Sequence, residues 1–250
     1  MTTGAFIIAR LSSSRLPAKN IMPINGRPMI DYLVERIRRA RSIDEIVVTT
    51  SDERSDDPLA EWAANADVGC YRGPLQDIMA RLCGAARAYD CDTVVEILGD
   101  NPLVDPEMID EVVELQTRND FDCAVSITDE YNVKREDLAL FALGVRVQAF
   151  KLEAAERYID FPDYIRDDIP EAEFLFVPEN GFKTGFIEAT GHWQKLHRPE
   201  INFAVNYLKN FQFLEQIISG LYPDKPDFSL PELMAYLEQK PNLLSLLGAE

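Results

Sequence analysis

The chain is short of cations, histidine and cysteine, and each shortage narrows what it can do. Lysine and arginine number 25 against 43 aspartates and glutamates, for a formal net charge of −18 over 250 residues. Nucleic acid and anionic membranes reward basic surfaces, so neither is expected as a partner. An anionic ligand would need a locally basic pocket or a bridging metal cation. The two histidines, His192 and His197, lie five positions apart, a spacing that makes no metal pair on a helix face. They are expected to be structural or surface groups. Cys70, Cys83, Cys91 and Cys123 form no C-x-x-C pair and read as reduced thiols in a cytoplasmic protein, mostly filling core. No apolar run approaches the length of a membrane span, and Met1–Ala9 lacks the layout of a signal peptide. Glycine-rich phosphate cradles are missing as well: there is neither a P-loop nor G-x-G-x-x-G.

What is present begins at Ala5–Lys19, AFIIARLSSSRLPAK. Ala5–Ala9 is wholly apolar, as a parallel strand buried on both faces should be. The ten residues after it carry Arg10, Arg15 and Lys19, the serines Ser12, Ser13 and Ser14, and Pro17. A strand that opens into a basic, hydroxyl-rich loop offers donors and positive charge together, which is what a polyphosphate needs. A solvated surface loop is the plainer reading of such a charge run. Against it stand the loop's place after the first strand of an α/β pattern, where such sheets bind ligands, and the acidity of the rest of the chain.

Strands then alternate with helices. Asn25-Gly26 marks a turn, and apolar residues at helical spacing run from Met29 to about Ala40. Glu45–Thr50 reads as a strand, Leu59–Ala66 as a helix, Val68–Tyr71 as a strand and Leu75–Tyr89 as a long amphipathic helix. Thr93–Leu98 is the next strand, Pro106 to Thr117 a helix and Cys123–Thr128 a strand. That pitch implies βαβ units in a mostly parallel, doubly wound sheet. Past residue 128 the pattern loosens. Gly144–Phe150 alternates as a strand, Lys151–Tyr158 reads as helical, Phe186–Ala189 and Phe203–Val205 are short strand candidates, and Asn206–Ile218 and Pro231–Leu247 read as helices. Phe161–Lys183, rich in proline, aspartate and aromatics, reads as an arm. No linker divides the chain, so residues 1–250 are expected to form one domain.

Gly99-Asp100 follows a buried strand, across from the basic loop. A carboxylate there suits a Mg²⁺ ion, which favours a few carboxylate oxygens plus phosphate and water. The other reading of Asp100 is a turn cap before Pro102; for Asp105, followed by Pro106, helix capping is the favoured reading. Trp62, Tyr89 and Phe211 are expected in the core rather than against a ligand.

Four segments together resemble the cytidylyltransferases of the CMP-Kdo synthetase and CMP-acylneuraminate synthetase superfamily, above all its spore-coat polysaccharide branch. They are Ile7–Ile37, Asp44–Ser51, Tyr71–Leu82 (YRGPLQDIMARL) and Gly99–Asp110 (GDNPLVDPEMID), with weaker echoes at Ala142–Phe150 and Phe203–Ile217. The resemblance implies a single nucleotidyltransferase α/β domain of Rossmann-like layout with a small dimerisation arm, working as a homodimer: a nucleotide-binding half (1–128), a sugar-binding and dimerisation portion (about 129–205) and C-terminal helices (206–250). It implies that CTP and a sugar acid give CMP-sugar and pyrophosphate, for surface glycan assembly. Arg10, Arg15 and Lys19 would bind the triphosphate. Ala9, Leu11, Ser12, Ser13 and Ser14 would lie along the nucleotide, and Arg72, Gly73, Asp77 and Arg81 would line the nucleotide or sugar side of the site. Asp100 would hold Mg²⁺. One departure stands out: the family usually carries a second metal-ligating Asp late in the chain, whereas the aligned stretch here is Val205-Asn206-Tyr207-Leu208-Lys209-Asn210. Asn206 is neutral, so the second metal is held differently, or one ion suffices, or activity is reduced. A phosphorylated or phosphonate acceptor and a catalytically weak nucleotide-binding partner remain as alternatives. The G-x-G-x-R-L loop of glucose-1-phosphate pyrophosphorylases is not present.

Overall fold

The computed structural model describes residues 1–131, 137–161 and 180–247. Its centre is β1 (Thr3–Ile8), fully apolar from Ala5 onward and closed on both edges by parallel neighbours. On one side lie β4 (Glu45–Ser51) and β5 (Gly69–Gly73); on the other lies β6 (Thr93–Leu98). β8 (Gln148–Lys151), β7 (Cys123–Ser126) and β9 (Thr184–Ile187) complete a seven-stranded sheet of order β5-β4-β1-β6-β8-β7-β9. Within it β8 is antiparallel to both neighbours, while the other pairings are parallel. A two-residue-per-strand hairpin, β2 (Pro23–Ile24) with β3 (Arg27–Pro28), turns at Asn25-Gly26, both with positive φ.

Helices cover both faces. α1 (Met29–Ile37), α4 (Pro106–Arg118), α6 (Leu208–Leu221) and α7 (Leu230–Gln239) share a core with Ala5 and Ile7. α3 (Ile78–Ala88) and α5 (Leu152–Ile159) pack on the opposite face with Phe6 and Val47. α2 (Asp57–Asn65) packs along β5 and β4. The alternation of Phe6 against Ala5 and Ile7 is the strand period dividing one sheet between two cores. Because the chain builds β4 and β5 on one side of β1 and then crosses to β6 on the other, the loops after β1 and β6 part above the sheet. That reversal point is where an open α/β sheet leaves a crevice.

Several element boundaries differ from the sequence pattern. The helix expected from Leu75 starts at Ile78, because the Asp77 side chain accepts the Ala80 N–H (3.0 Å) and caps it there. The strand expected at Gly144–Phe150 pairs only over Gln148–Lys151. Phe203–Val205 is not a strand; a single bridge, Leu143 to Asn202, joins that region to the chain before β8. The final helix stops at Gln239, since Pro241 cannot continue it, and Pro241–Leu247 forms 3₁₀ turns. Trp62 is half-buried and donates to Asp31 (2.8 Å), Tyr89 is half-buried against the Cys70 backbone, and Phe211 is buried. Most of the expected arm, 162–179, lies outside the described residues, as does 132–136.

At Gly144 two stretches of backbone meet closely. Its φ is +80°, and a Cβ there would sit 2.1 Å from Ala204 N, against backbone that cannot yield. Gly144→Ala is expected to cost about 1–3 kcal/mol of stability, read as a lowered midpoint in chemical denaturation, and to loosen the 203–206 segment.

Candidate active site

The crevice is lined by Arg10, Ser13, Arg15, Lys19, Arg81 and Asp100, with Ala9 beside them. Each is delivered by a specific local device. The loop after β1 is closed by a backbone bond from Ala18 N–H to Leu11 C=O (2.9 Å), with Ala18 in the left-handed region. Leu11 N–H donates to the buried Asp56 carboxylate (2.7 Å), which also takes the Ser51 hydroxyl. Asn20, 1 % exposed, donates to Gly99 C=O (2.8 Å) and so staples the first loop to the loop after β6. Asp105 caps α4 through Glu107 N–H, accepts Leu230 N–H (2.7 Å) from α7, and faces Arg36 at 3.7 Å. Asp105 therefore caps its helix, as the sequence favours, and ties the C-terminal helix to the site loop.

Lys19 and Asp100 meet. Lys19 Nζ lies 2.6 Å from Asp100 Oδ2 and donates to Val205 C=O at 2.9 Å. Val205 N–H in turn donates to Asp100 C=O (2.8 Å), which brings Asn206 beside the same loop. The Asn206 Oδ1 is buried and has no partner among the described residues. Arg10 and Arg15 are exposed, and the Arg15 guanidinium lies 5.9 Å from the centre of the Tyr207 ring.

Arg81 is 2 % exposed yet pairs with no carboxylate among the described residues; its Nη1 donates to Pro74 C=O (2.7 Å) and its Nε has no partner there. Burial, reinforced by the like charge of Arg10, pulls its pKa down to about 10. A cation desolvated in this way is primed for an anion, because the ligand rather than the protein completes the pair. The remaining expected residues do not line the crevice, although Gly73 lies against the Arg81 side chain. Arg72 is committed to Ser51 C=O, Glu53 C=O and Asp57. Leu11 is buried, Ser12 and Ser14 are exposed, and Gly73 and Asp77 serve the end of β5 and the cap of α3. His192 pairs with Glu111 (3.0 Å), close to Glu107, and His197 bonds Leu140 C=O (3.0 Å); both histidines are on the surface.

The sequence reading missed Asp56, Asn20 and the Val205 carbonyl. Asn20 follows Lys19 directly and could have been drawn in by that adjacency; the other two carry no local signal.

A cleft with four cations and one carboxylate at the sheet's reversal point suits a metal-chelated polyphosphate. The sequence model of the cytidylyltransferase family matches residues 5–164, more than half of the chain. The chain belongs to the cytidylyltransferase family. It is thus a CTP-dependent nucleotidyltransferase. A cytidylyltransferase structure from Leptospira borgpetersenii superposes with a TM-score of 0.83 at 25% identity, covering 97% of this chain and 96% of that one. The spore coat polysaccharide biosynthesis protein SpsF of Bacillus subtilis is 22% identical over 95% of each chain. The 8-amino-3,8-dideoxy-manno-octulosonate cytidylyltransferase of Shewanella amazonensis is 37% identical over 124 residues, 48% of this chain and 49% of its own length. This cytidylyltransferase therefore shares about half of its length with the enzyme named for a sugar acid.

Arg81→Met tests the unpaired guanidinium. Thermal stability should hold or rise, since a desolvated charge is removed, while calorimetric affinity for CTP should fall about 10–100-fold for a lost charged hydrogen-bond donor.

Proposed function

We propose that this cytidylyltransferase transfers CMP from CTP to a sugar acid of nonulosonate or Kdo type, releasing pyrophosphate, for surface glycan biosynthesis. The observation that carries the reading is the 2.6 Å contact between Lys19 and Asp100, which joins the basic loop of β1 to the carboxylate after β6 in one cleft. The name of the Shewanella relative, an octulosonate cytidylyltransferase, supports the acceptor class.

In this reaction the anomeric hydroxyl oxygen of the acid forms a bond to the α-phosphorus as the bond from that phosphorus to the bridging oxygen breaks. The hydroxyl proton is lost and pyrophosphate leaves with the extra negative charge. The protein's work is alignment and charge stabilisation rather than covalent chemistry. Arg10, Arg15, Lys19 and Arg81 meet the triphosphate, and the backbone of Ala9 to Ser14 follows the nucleotide. The Asp100 carboxylate and the Val205 carbonyl, both held by Lys19, are oxygen donors of the kind a hard divalent cation takes, and Asn206, next in the chain, keeps a buried Oδ1 with no partner among the described residues. Asp100 and Asn206 would hold Mg²⁺, which when bound neutralises phosphate charge as it develops. Asn206 adds no negative charge, so one ion is the simpler occupancy. The reading includes a cytoplasmic homodimer, a state that light scattering on the eluted protein checks at about twice the chain mass.

A panel of CTP, UTP and ATP against acidic and phosphorylated sugars, scored by pyrophosphate release, tests the reaction. CTP with 3-deoxy-manno-octulosonate or a nonulosonate should release pyrophosphate and EDTA should abolish it; release only with phosphorylated sugars would replace the acceptor class. Arg15→Ala and Asp100→Ala should each lower kcat/KM about 10²-fold or more, the usual scale for losing one charge-stabilising group.

A further inference from the structure

The contact that assembles the site also closes it. Asp100 Oδ2 is held by Lys19 Nζ at 2.6 Å, and the same ammonium takes Val205 C=O at 2.9 Å. The two side chains are 9% and 20% exposed, so water screens the pair weakly. Next in the chain, Asn206 buries an oxygen with no partner among the described residues. Carboxylate, carbonyl and amide oxygen are the donor set of a hard cation, and the cation already seated among the first two is the ammonium of Lys19.

We infer that Lys19 is a resident cation that keeps metal off Asp100 until the triphosphate arrives. The inference rests on the proposed assignment of Asp100 to the metal. In the nucleotide-free protein a divalent ion would have to share a carboxylate with a primary ammonium, and like charges at such separations repel strongly where screening is weak. The triphosphate changes that balance. Its oxygens give Lys19 a new partner and bring the metal already chelated, so the ammonium moves from Asp100 to phosphate as the ion moves onto Asp100. Metal and nucleotide then bind as one unit, and each raises the affinity of the other by the same factor, as linkage requires. The lysine thus has two positions, and its charge is balanced in both.

The Lys19→Met variant and manganese separate this from a simple phosphate-binding lysine. Without nucleotide, wild-type protein should bind Mn²⁺ weakly by calorimetry. Lys19→Met should bind it about tenfold tighter or more, the common scale of coupling between two sites, and adding Asp100→Asn to that variant should remove the gain. Equal Mn²⁺ affinity in wild type and Lys19→Met would overturn the inference. Wild-type crystals soaked in Mn²⁺ give a readout that needs no variant: an anomalous peak at Asp100 is expected with CTP and none without. A peak in nucleotide-free crystals would sink the inference while leaving Asp100 as the metal ligand. No Mn²⁺ at Asp100 in any of these samples would remove the metal assignment itself, and the inference with it.

Discussion

One ammonium holds the site together. Lys19 reaches from the first loop to the carboxylate after β6 and to the carbonyl of Val205 in the last third of the chain. Those three segments have no covalent reason to lie together. Bringing them to one point costs chain entropy, which the sheet has already met by setting β1 beside β6. The pair then fixes the loops, and Asn20 and Asp56 fix the backbone on either side of it.

A second buried pair lies one strand further on. Glu96 on β6 faces Arg146, whose guanidinium lies 5.5 Å from the centre of the Tyr131 ring. Burial pushes the Glu96 carboxyl up despite Arg146, whereas Tyr131 and Glu96 keep the buried Arg146 pKa above its ordinary value. Buried ion pairs are weak sources of stability, because desolvation offsets attraction. This one sits where β8 enters the sheet in reverse and pins that entry.

Most of the sheet's first half was legible because β1, β4 and β6 each carry a short apolar run and most of the intervening helices keep a 3.6 period, the Leu59–Ala66 helix and β5 being less regular. The cleft was legible for a different reason: Arg10, Arg15 and Lys19 crowd one loop of an acidic chain. What stayed hidden was long-range. The reversal of β8 is a matter of pairing, and Gln148-Ala149-Phe150 reads the same in either direction. Arg72 has the same local appearance as Arg81, yet one is tied to Asp57 and the other is buried with no paired carboxylate among the described residues. Only the third dimension separates a spent arginine from an available one. Asp56 looked like one more member of an acidic turn, but it is 0% exposed and holds Leu11.

The backward entry of β8 has an architectural result. A parallel strand would carry the chain before it to the far rim of the sheet; an antiparallel one carries it to the near rim, beside the loops after β1 and β6. Residues 142–146 therefore lie toward the rim where the loops after β1 and β6 emerge, outside the parallel first-half framework. The sheet is thus built with a seam, where the reversed strand of the later part of the chain is joined to a first half whose strands all run one way.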